Sequence, residues 1–327
     1  MTTPSPLSNF PKTYVGEVNA YIAGFVSVTA NIGLIYATSQ VKTYSSAFRK
    51  IQYYVCALRL MFTLVIVMTS PTLVYIARMK SLYIVKGGFY MPFDAGLFFL
   101  ILFVFFVVIS CSSPTVQYLQ LCHLLSINGH KESNFGLYIS SISVIAGLPT
   151  LLLGFLGYKP SKSELDVAQP IVYYLNGVGD SAFLMVTSSR IGGIDWPSII
   201  CTIYILVIMM LSVMTVIVCG TVIQKQMKKK MMSDAAQKLQ NQINRILFLQ
   251  FSLPFITIHV PFYASFILPM FDIEMPILSS YLPLLFSWCP AINPILVMIA
   301  VKNVRDRLLC EPTTSKMSSI SMFQVRQ

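Results

Sequence analysis

The stretch FDAGLFFLILFVFFVVISCSSPTVQY, Phe93–Tyr118, holds one charged residue, Asp94, at its head and none after it. A helix needs about 20 mostly apolar residues to cross the hydrocarbon core of a bilayer. This run is long enough, and it is apolar on all sides, so no face of it suits water. The rest of the chain matches it. Of its 327 residues, 55% are hydrophobic and only 11% charged, and its mean hydropathy is +0.71. Soluble domains carry about 25% charged residues, so this chain cannot clothe a water-facing surface and reads as an integral membrane protein.

Working outward from Phe93–Tyr118, six further apolar runs of spanning length appear, giving seven: about 18–40, 51–77, 93–118, 136–157, 198–223, 246–270 and 278–301. Backbone groups in lipid must pair within their own segment, so the runs are helices. No ten-residue alternating segments suggest a β-barrel. The expected fold is an all-α membrane bundle of seven helices. It has a short N-terminal segment (1–17), a bundle (18–301) and a tail (302–327). The N-terminus lacks the basic and compact apolar regions of a cleaved signal.

Lys and Arg set the orientation. One side holds Lys12, Arg78, Lys80, Lys86, Lys159, Lys162 and Arg190, seven in all; the other holds fifteen, among them Arg49, Lys228, Lys229, Lys230, Lys238 and Arg245. The N-terminus is therefore expected outside and the C-terminus in the cytoplasm. The net charge of +11 is accounted for by these cytoplasmic segments. Nucleic acid is not an expected partner, because basic and aromatic residues do not interleave on any surface motif.

The chemistry of catalysis is missing. There are no paired carboxylates, no zinc-ligand helix motif and no nucleophile elbow, so neither enzyme activity, metal nor cofactor is expected. The seven cysteines lack CxxC spacing and read as small apolar packing residues. Proton relays need chains of Asp, Glu or His in the membrane, and none is present, which speaks against an ion-coupled transporter. Arg59 is the one cation well inside a span, and the expectation is that it snorkels to the cytoplasmic headgroups.

Prolines gather in the last two spans: Pro254 and Pro261 in the sixth, Pro283, Pro290 and Pro294 in the seventh. Each removes an intrahelical hydrogen bond. Pro254, Pro261, Pro290, Asn293 and Pro294 are read as a hinge, with static shape as the plainer reading. Apolar and aromatic residues in the outer half are candidates for a ligand pocket: Phe98, Phe99 and Leu102 on the third span, His259, Tyr263 and Phe266 on the sixth, Tyr281 and Phe286 on the seventh. Such sites are mostly apolar with a few polar groups, although for any one of these residues plain helix packing is the stronger reading. The third inner loop, QKQMKKKMMSDAAQKLQNQINR, can meet anionic lipid or a cytoplasmic protein. Lys302, Arg305 and Arg307 interleave with Val304, Leu308 and Leu309 as in a short helix lying on the inner leaflet. Cys310 beside them is a candidate for palmitoylation or a bare cytosolic thiol.

The run MSDAAQKLQNQINRILFLQFSLPFITIHVPF, from Met232, resembles the nematode serpentine chemoreceptors of the Str type. Met232 and Ser233, Gln240 and Gln242, Gln250, Pro254 and Pro261 carry the likeness. The seventh span is similar to the family's closing Pro-x-x-Asn-Pro run at Pro290, Asn293 and Pro294, and MTSPTLVYI to the outer end of its second span. The resemblance implies a G-protein-coupled receptor for a small molecule or short peptide, in the plasma membrane of a sensory neuron at its cilium. It also implies a heterotrimeric G protein contacting Arg49, Lys228–Lys230, Lys238 and Arg245, with room for receptor dimers. The third span ends in VQYLQLCHLLSING without the Arg-Tyr pair expected of such receptors. No cysteine pair ties the third span to the second outer loop. A seven-helix ligand-gated cation channel of the insect odorant-receptor kind is the alternative; it would put the N-terminus inside, against the charge count.

Overall fold

The computed structural model describes residues 13–40, 46–76, 80–126, 135–176, 180–190, 193–229, 248–249, 251–252, 255–271, 273 and 276–300. Its long helices are α1 (Thr13–Gln40), α2 (Ser46–Thr69), α3 (Phe93–Ser126), α4 (Phe135–Gly157) and α6 (Trp196–Lys229). The last span is α8 (Pro276–Ala300). Among the described residues, six helices are long and apolar enough to cross a membrane. The sixth run of the sequence is described in pieces. Phe251 and Ser252 are helical, a π-turn covers Phe255–His259, α7 covers Val260–Ile267, and a 3₁₀ turn covers Leu268–Phe271.

The third span, the most deeply buried of the six, sits at the centre. Its buried face from Leu97 to Cys111 is the spine of the main core. Where α4 crosses it, Gly147 lets the backbones close: a Cβ there would lie 2.6 Å from Ile109 Cδ1. The outer helices turn apolar side chains outward instead. Phe25 is 75% exposed and Leu152 64%, a pattern suited to lipid and not to water.

Two expectations need correction. The run 51–77 is not one helix. Ser70, with a positive φ of 34°, ends α2, Pro71 follows, and β1 (Thr72–Ile76) takes over. The all-α expectation is also too narrow, because the described residues between α4 and α6 include strands. Those residues form α5 (Lys162–Asn176), β3 (Phe183–Thr187) and a small ribbon of β4 (Ser189–Arg190) and β5 (Gly193–Ile194). The bundle is thus not purely helical. β1 pairs antiparallel with β2 (Ser81–Val85), and β2 with β3, in registers centred on Val74↔Tyr83 and Tyr83↔Met185.

This sheet is buried on both faces, and strand alternation shows why. Leu73, Tyr75, Leu82, Ile84, Leu184 and Val186 point into the bundle core. Val74, Tyr83, Val85, Phe183 and Met185 point the other way, onto Ala168 and Val172 of α5. The sheet therefore caps one end of the bundle, and α5 covers the sheet.

α5 starts with a capping box. The Ser161 backbone N–H donates to Glu164 Oε2 at 2.6 Å, so Glu164 returns to the cap position three residues back. Glu164 also lies 3.6 Å from Arg190 Nη1. Arg190 Nε donates to Asp195 Oδ2 at 2.6 Å, and its Nη2 to the carbonyls of Gly157 at 2.8 Å and Lys159 at 3.3 Å. One guanidinium thus ties the end of α4, the start of α5 and the start of α6. It fastens the cap without a disulfide; the six described cysteines are free.

Candidate functional site

The eight residues expected to line a pocket separate into three groups. Phe266 and Phe286 are 1% exposed and belong to the core, while Phe99, Leu102 and Tyr263 pack against it half-buried. His259 is fully buried on the π-turn, its ring between Phe255 at 5.6 Å and Tyr263 at 6.2 Å. Phe98 and Tyr281 do not join them: they are 44% and 60% exposed on the outside of the bundle. Phe98 stacks instead on Phe155 of α4 at 6.4 Å. A spacing argument places residues on a helix but cannot rotate the helix against its neighbours, which is why these two were assigned inward.

The structure adds rings that the sequence reading passed over. Phe62 of α2, Phe103 of α3 and Phe262 of α7 meet Phe286 and Phe266. Phe103 lies 5.8 Å from Phe286 and 6.1 Å from Phe62; Phe262 lies 6.0 Å from Phe286 and 4.1 Å from Phe266. Four spans therefore meet in one aromatic cluster, at the contact distances of paired rings. Beside it, Tyr263 presents a buried hydroxyl with no hydrogen-bond partner among the described residues.

Inward of the cluster the lining becomes polar. Ser27 and Thr63 share a hydrogen bond of 2.7 Å between α1 and α2. Asn31 Nδ2 donates to the Ser27 carbonyl at 2.9 Å and to the Pro290 carbonyl of α8 at 3.0 Å. The second bond follows from the sequence. In a helix the Pro290 carbonyl would accept from the N–H of residue 294, but residue 294 is proline and has none. Asn31 supplies the missing donor from another helix. α3 solves the same problem locally: Ser113 Oγ donates to the Ser110 carbonyl at 3.0 Å, the group that Pro114 leaves unserved. The signal was legible, since each in-span proline names the carbonyl four residues earlier that needs a donor.

The expected hinge lies along this seam. Pro261 occupies the first turn of α7 directly after the π-turn, where its missing N–H interrupts the regular ladder. Pro290 and Pro294 lie inside α8. Asn293 is 4% exposed, and its Oδ1 has no partner among the described residues. α1 is held to α8 outward of the seam as well: Trp288 Nε1 donates to Asn19 Oδ1 at 3.0 Å. Pro254 lies outside the described residues.

Of the expected cytoplasmic contacts, Arg49 stands in the first turn of α2, half-buried, and Lys228 and Lys229 close α6. Lys230, Lys238, Arg245 and Cys310 lie outside the described residues. Two other cations depart from expectation. Arg59 does not snorkel; it is 5% exposed in the middle of α2. Lys86 is not displayed on the outer surface. It is buried beneath the sheet, donating to the carbonyls of Gly87, at 3.0 Å, and of Phe89. Burial lowers its proton affinity, and nearby Glu17 partly offsets this. No group of three or more metal-ligating side chains occurs among the described residues.

Known proteins match this arrangement at two levels. The sequence profile described as "Serpentine type 7TM GPCR chemoreceptor Str" matches residues 17–309. A G-protein coupled receptor of Caenorhabditis elegans, str-33, is 32% identical over 92 residues, 28% of this chain and 27% of that receptor's length. Among solved structures, squid rhodopsin superposes with a TM-score of 0.65 at 13% identity, covering 100% of this chain and 97% of the rhodopsin. At that identity the likeness is one of fold.

Proposed function

The chain belongs to the Str family of serpentine seven-transmembrane chemoreceptors, and on that premise we propose that it binds a small apolar molecule between α3, α7 and α8 and signals to a heterotrimeric G protein. The observation that carries this reading is the aromatic cluster of Phe103, Phe262 and Phe286, which lies directly outward of the proline seam. Its rings touch one another, so a ligand enters by parting them. Parting them displaces α7 against α8, both of which carry prolines that interrupt the hydrogen-bond ladder. A ligand that binds the parted arrangement more tightly shifts the population toward it.

The Tyr263 hydroxyl favours a ligand with one hydrogen-bonding group on an apolar body. The sheet and α5 over the outer end favour a small molecule over a peptide. The N-terminus is proposed to face outward and the ends of α2 and α6, with Arg49, Lys228 and Lys229, the cytoplasm. Lys230, Lys238 and Arg245 would extend that basic surface, which meets the G protein and anionic lipid. The membrane is proposed to be that of a sensory cilium.

The test is expression of the full chain in cells carrying a G-protein reporter, with an epitope before Pro4 to read sidedness. Small apolar odorants are then screened. A response lost in Phe286→Ala but kept in Phe98→Ala supports the reading, because only the first ring lies in the cluster. A response that survives Phe286→Ala and Phe262→Ala at unchanged potency overturns the site. An epitope reached only after permeabilisation, with the protein at the surface, overturns the orientation.

A further inference from the structure

Arg59 Nη1 is fully buried and has no hydrogen-bond partner among the described residues. Its electrostatic neighbours are two thiols, Cys56 on its own helix and Cys289 on α8. Gln52, Cys56 and Arg59 follow one another at i, i+4 and i+7 and so share a face of α2. Gln52 is also 5% exposed, and its Nε2 is a second buried donor on this face, with only the Cys56 sulfur, a weak acceptor, beside it among the described residues.

Negative charge is missing from this neighbourhood among the described residues. The carboxylates in the described parts of the spans are Glu17 and Asp94, both at the sheet-bearing end. The bond between Ser27 and Thr63 sets the register of α1 on α2. Glu17 lies ten residues outward of Ser27, and Arg59 four residues inward of Thr63. The two therefore stand about 20 Å apart along the bundle at 1.5 Å per residue. Glu17 is also engaged elsewhere, accepting from Gly88 N at 3.1 Å.

A guanidinium keeps its proton in proteins. Buried water can satisfy its N–H groups but cannot cancel its charge, and an uncompensated buried ion is strongly destabilising. We propose that the face of α2 carrying Gln52, Cys56 and Arg59, opposite Cys289 of α8, binds a small monovalent inorganic anion such as chloride. Arg59 Nη1 and Gln52 Nε2 are the donors and the thiols form the soft wall. The site lies about one turn inward of Phe62 and Phe286, and its test needs no ligand in the cluster. An anion there joins α2 to α8 next to the proline seam, so its occupancy favours the arrangement in which those two helices are close.

The experiment uses the purified full-length chain in detergent. Chloride replaces gluconate at constant ionic strength, and thermal unfolding is followed by the reactivity of the buried cysteines. A saturable rise of about 2–4 °C in midpoint is expected, as for a ligand that binds only the folded state. Bromide should substitute for chloride, and Arg59→Gln should abolish the response. A midpoint indifferent to the chloride fraction, or one that rises equally in Arg59→Gln, overturns the site. Should that variant not fold, anomalous diffraction from bromide-grown crystals of the unaltered chain decides: a peak beside Arg59 supports the proposal, and its absence overturns it.

Discussion

Arg190 and Arg59 are the same side chain in opposite circumstances. Arg190 holds Asp195, Glu164 and two carbonyls in the cap. Arg59, mid-bundle, has thiols for neighbours and an Nη1 with no hydrogen-bond partner among the described residues. The cap is an assembly whose charged groups are answered, built from a sheet buried on both faces. The middle of the bundle is not. There Arg59 and Asn293 keep buried polar atoms without partners among the described residues, and prolines break two neighbouring spans. A frame that is satisfied at one end and unsatisfied in the middle is stiff where it is capped and has more than one arrangement where it is not.

Removing the cap's knot is the sharpest way to test that contrast. Arg190→Ala leaves the buried Asp195 and Glu164 without their cation and should cost about 3 kcal/mol. It should be read as a lower thermal midpoint and a smaller folded fraction at the cell surface. Arg190→Lys keeps the charge but loses the fork, and should fall between the two. If Arg190→Ala unfolds at the midpoint of the unaltered chain, the cap is not held by this residue.

On the seam, Asn31→Ala should cost about 2 kcal/mol by leaving the Pro290 carbonyl buried and unserved. Pro294→Ala returns an N–H to that carbonyl from within α8. The Asn31→Ala penalty should then shrink by about 1 kcal/mol in the Pro294→Ala background, a coupling that a double-mutant cycle measures directly. Strict additivity would show that Asn31 does not act through the orphaned carbonyl.

The smallest effect concerns Lys86. Because burial lowers its proton affinity, the unfolded chain holds more protons than the folded one between that lowered value and about 10.5. Stability should therefore rise with pH through this window, and the penalty of the buried cation is full below it. The slope stays under the one-proton limit of about 1.4 kcal/mol per pH unit. Thermal midpoints of the unaltered chain and Lys86→Met across alkaline pH should converge as pH rises. Parallel curves would show that Lys86 is not the titrating group.

Part of the candidate site is legible in the sequence. The prolines of the last two spans, and Asn293 between them, were legible because proline lacks an N–H wherever it stands. That Phe286 and Phe266 face inward is legible because helical spacing gives a face. Phe98 and Tyr281 were misassigned because spacing does not say which neighbour that face meets. Phe62, Phe103 and Phe262 went unread for the same reason. Arg59 was expected to reach the headgroups, and only the packing of α2 against α8 shows that it does not.

The sequence by itself determined that the chain is a multi-pass membrane bundle of apolar helices. Hydrocarbon admits only segments whose backbone is paired internally, and twenty apolar residues have few other solutions. It also marked the in-span prolines, each of which leaves a carbonyl four residues earlier without its usual donor. The tertiary structure alone decided that the outer connections form a sheet, since strand pairing joins residues about a hundred positions apart, as Tyr83 joins Met185. It alone decided that Asn31 would serve Pro290, and that one arginine would be fully answered while another was buried with an orphaned donor. Those outcomes depend on which distant groups the fold brings within hydrogen-bonding range, and no local pattern records that.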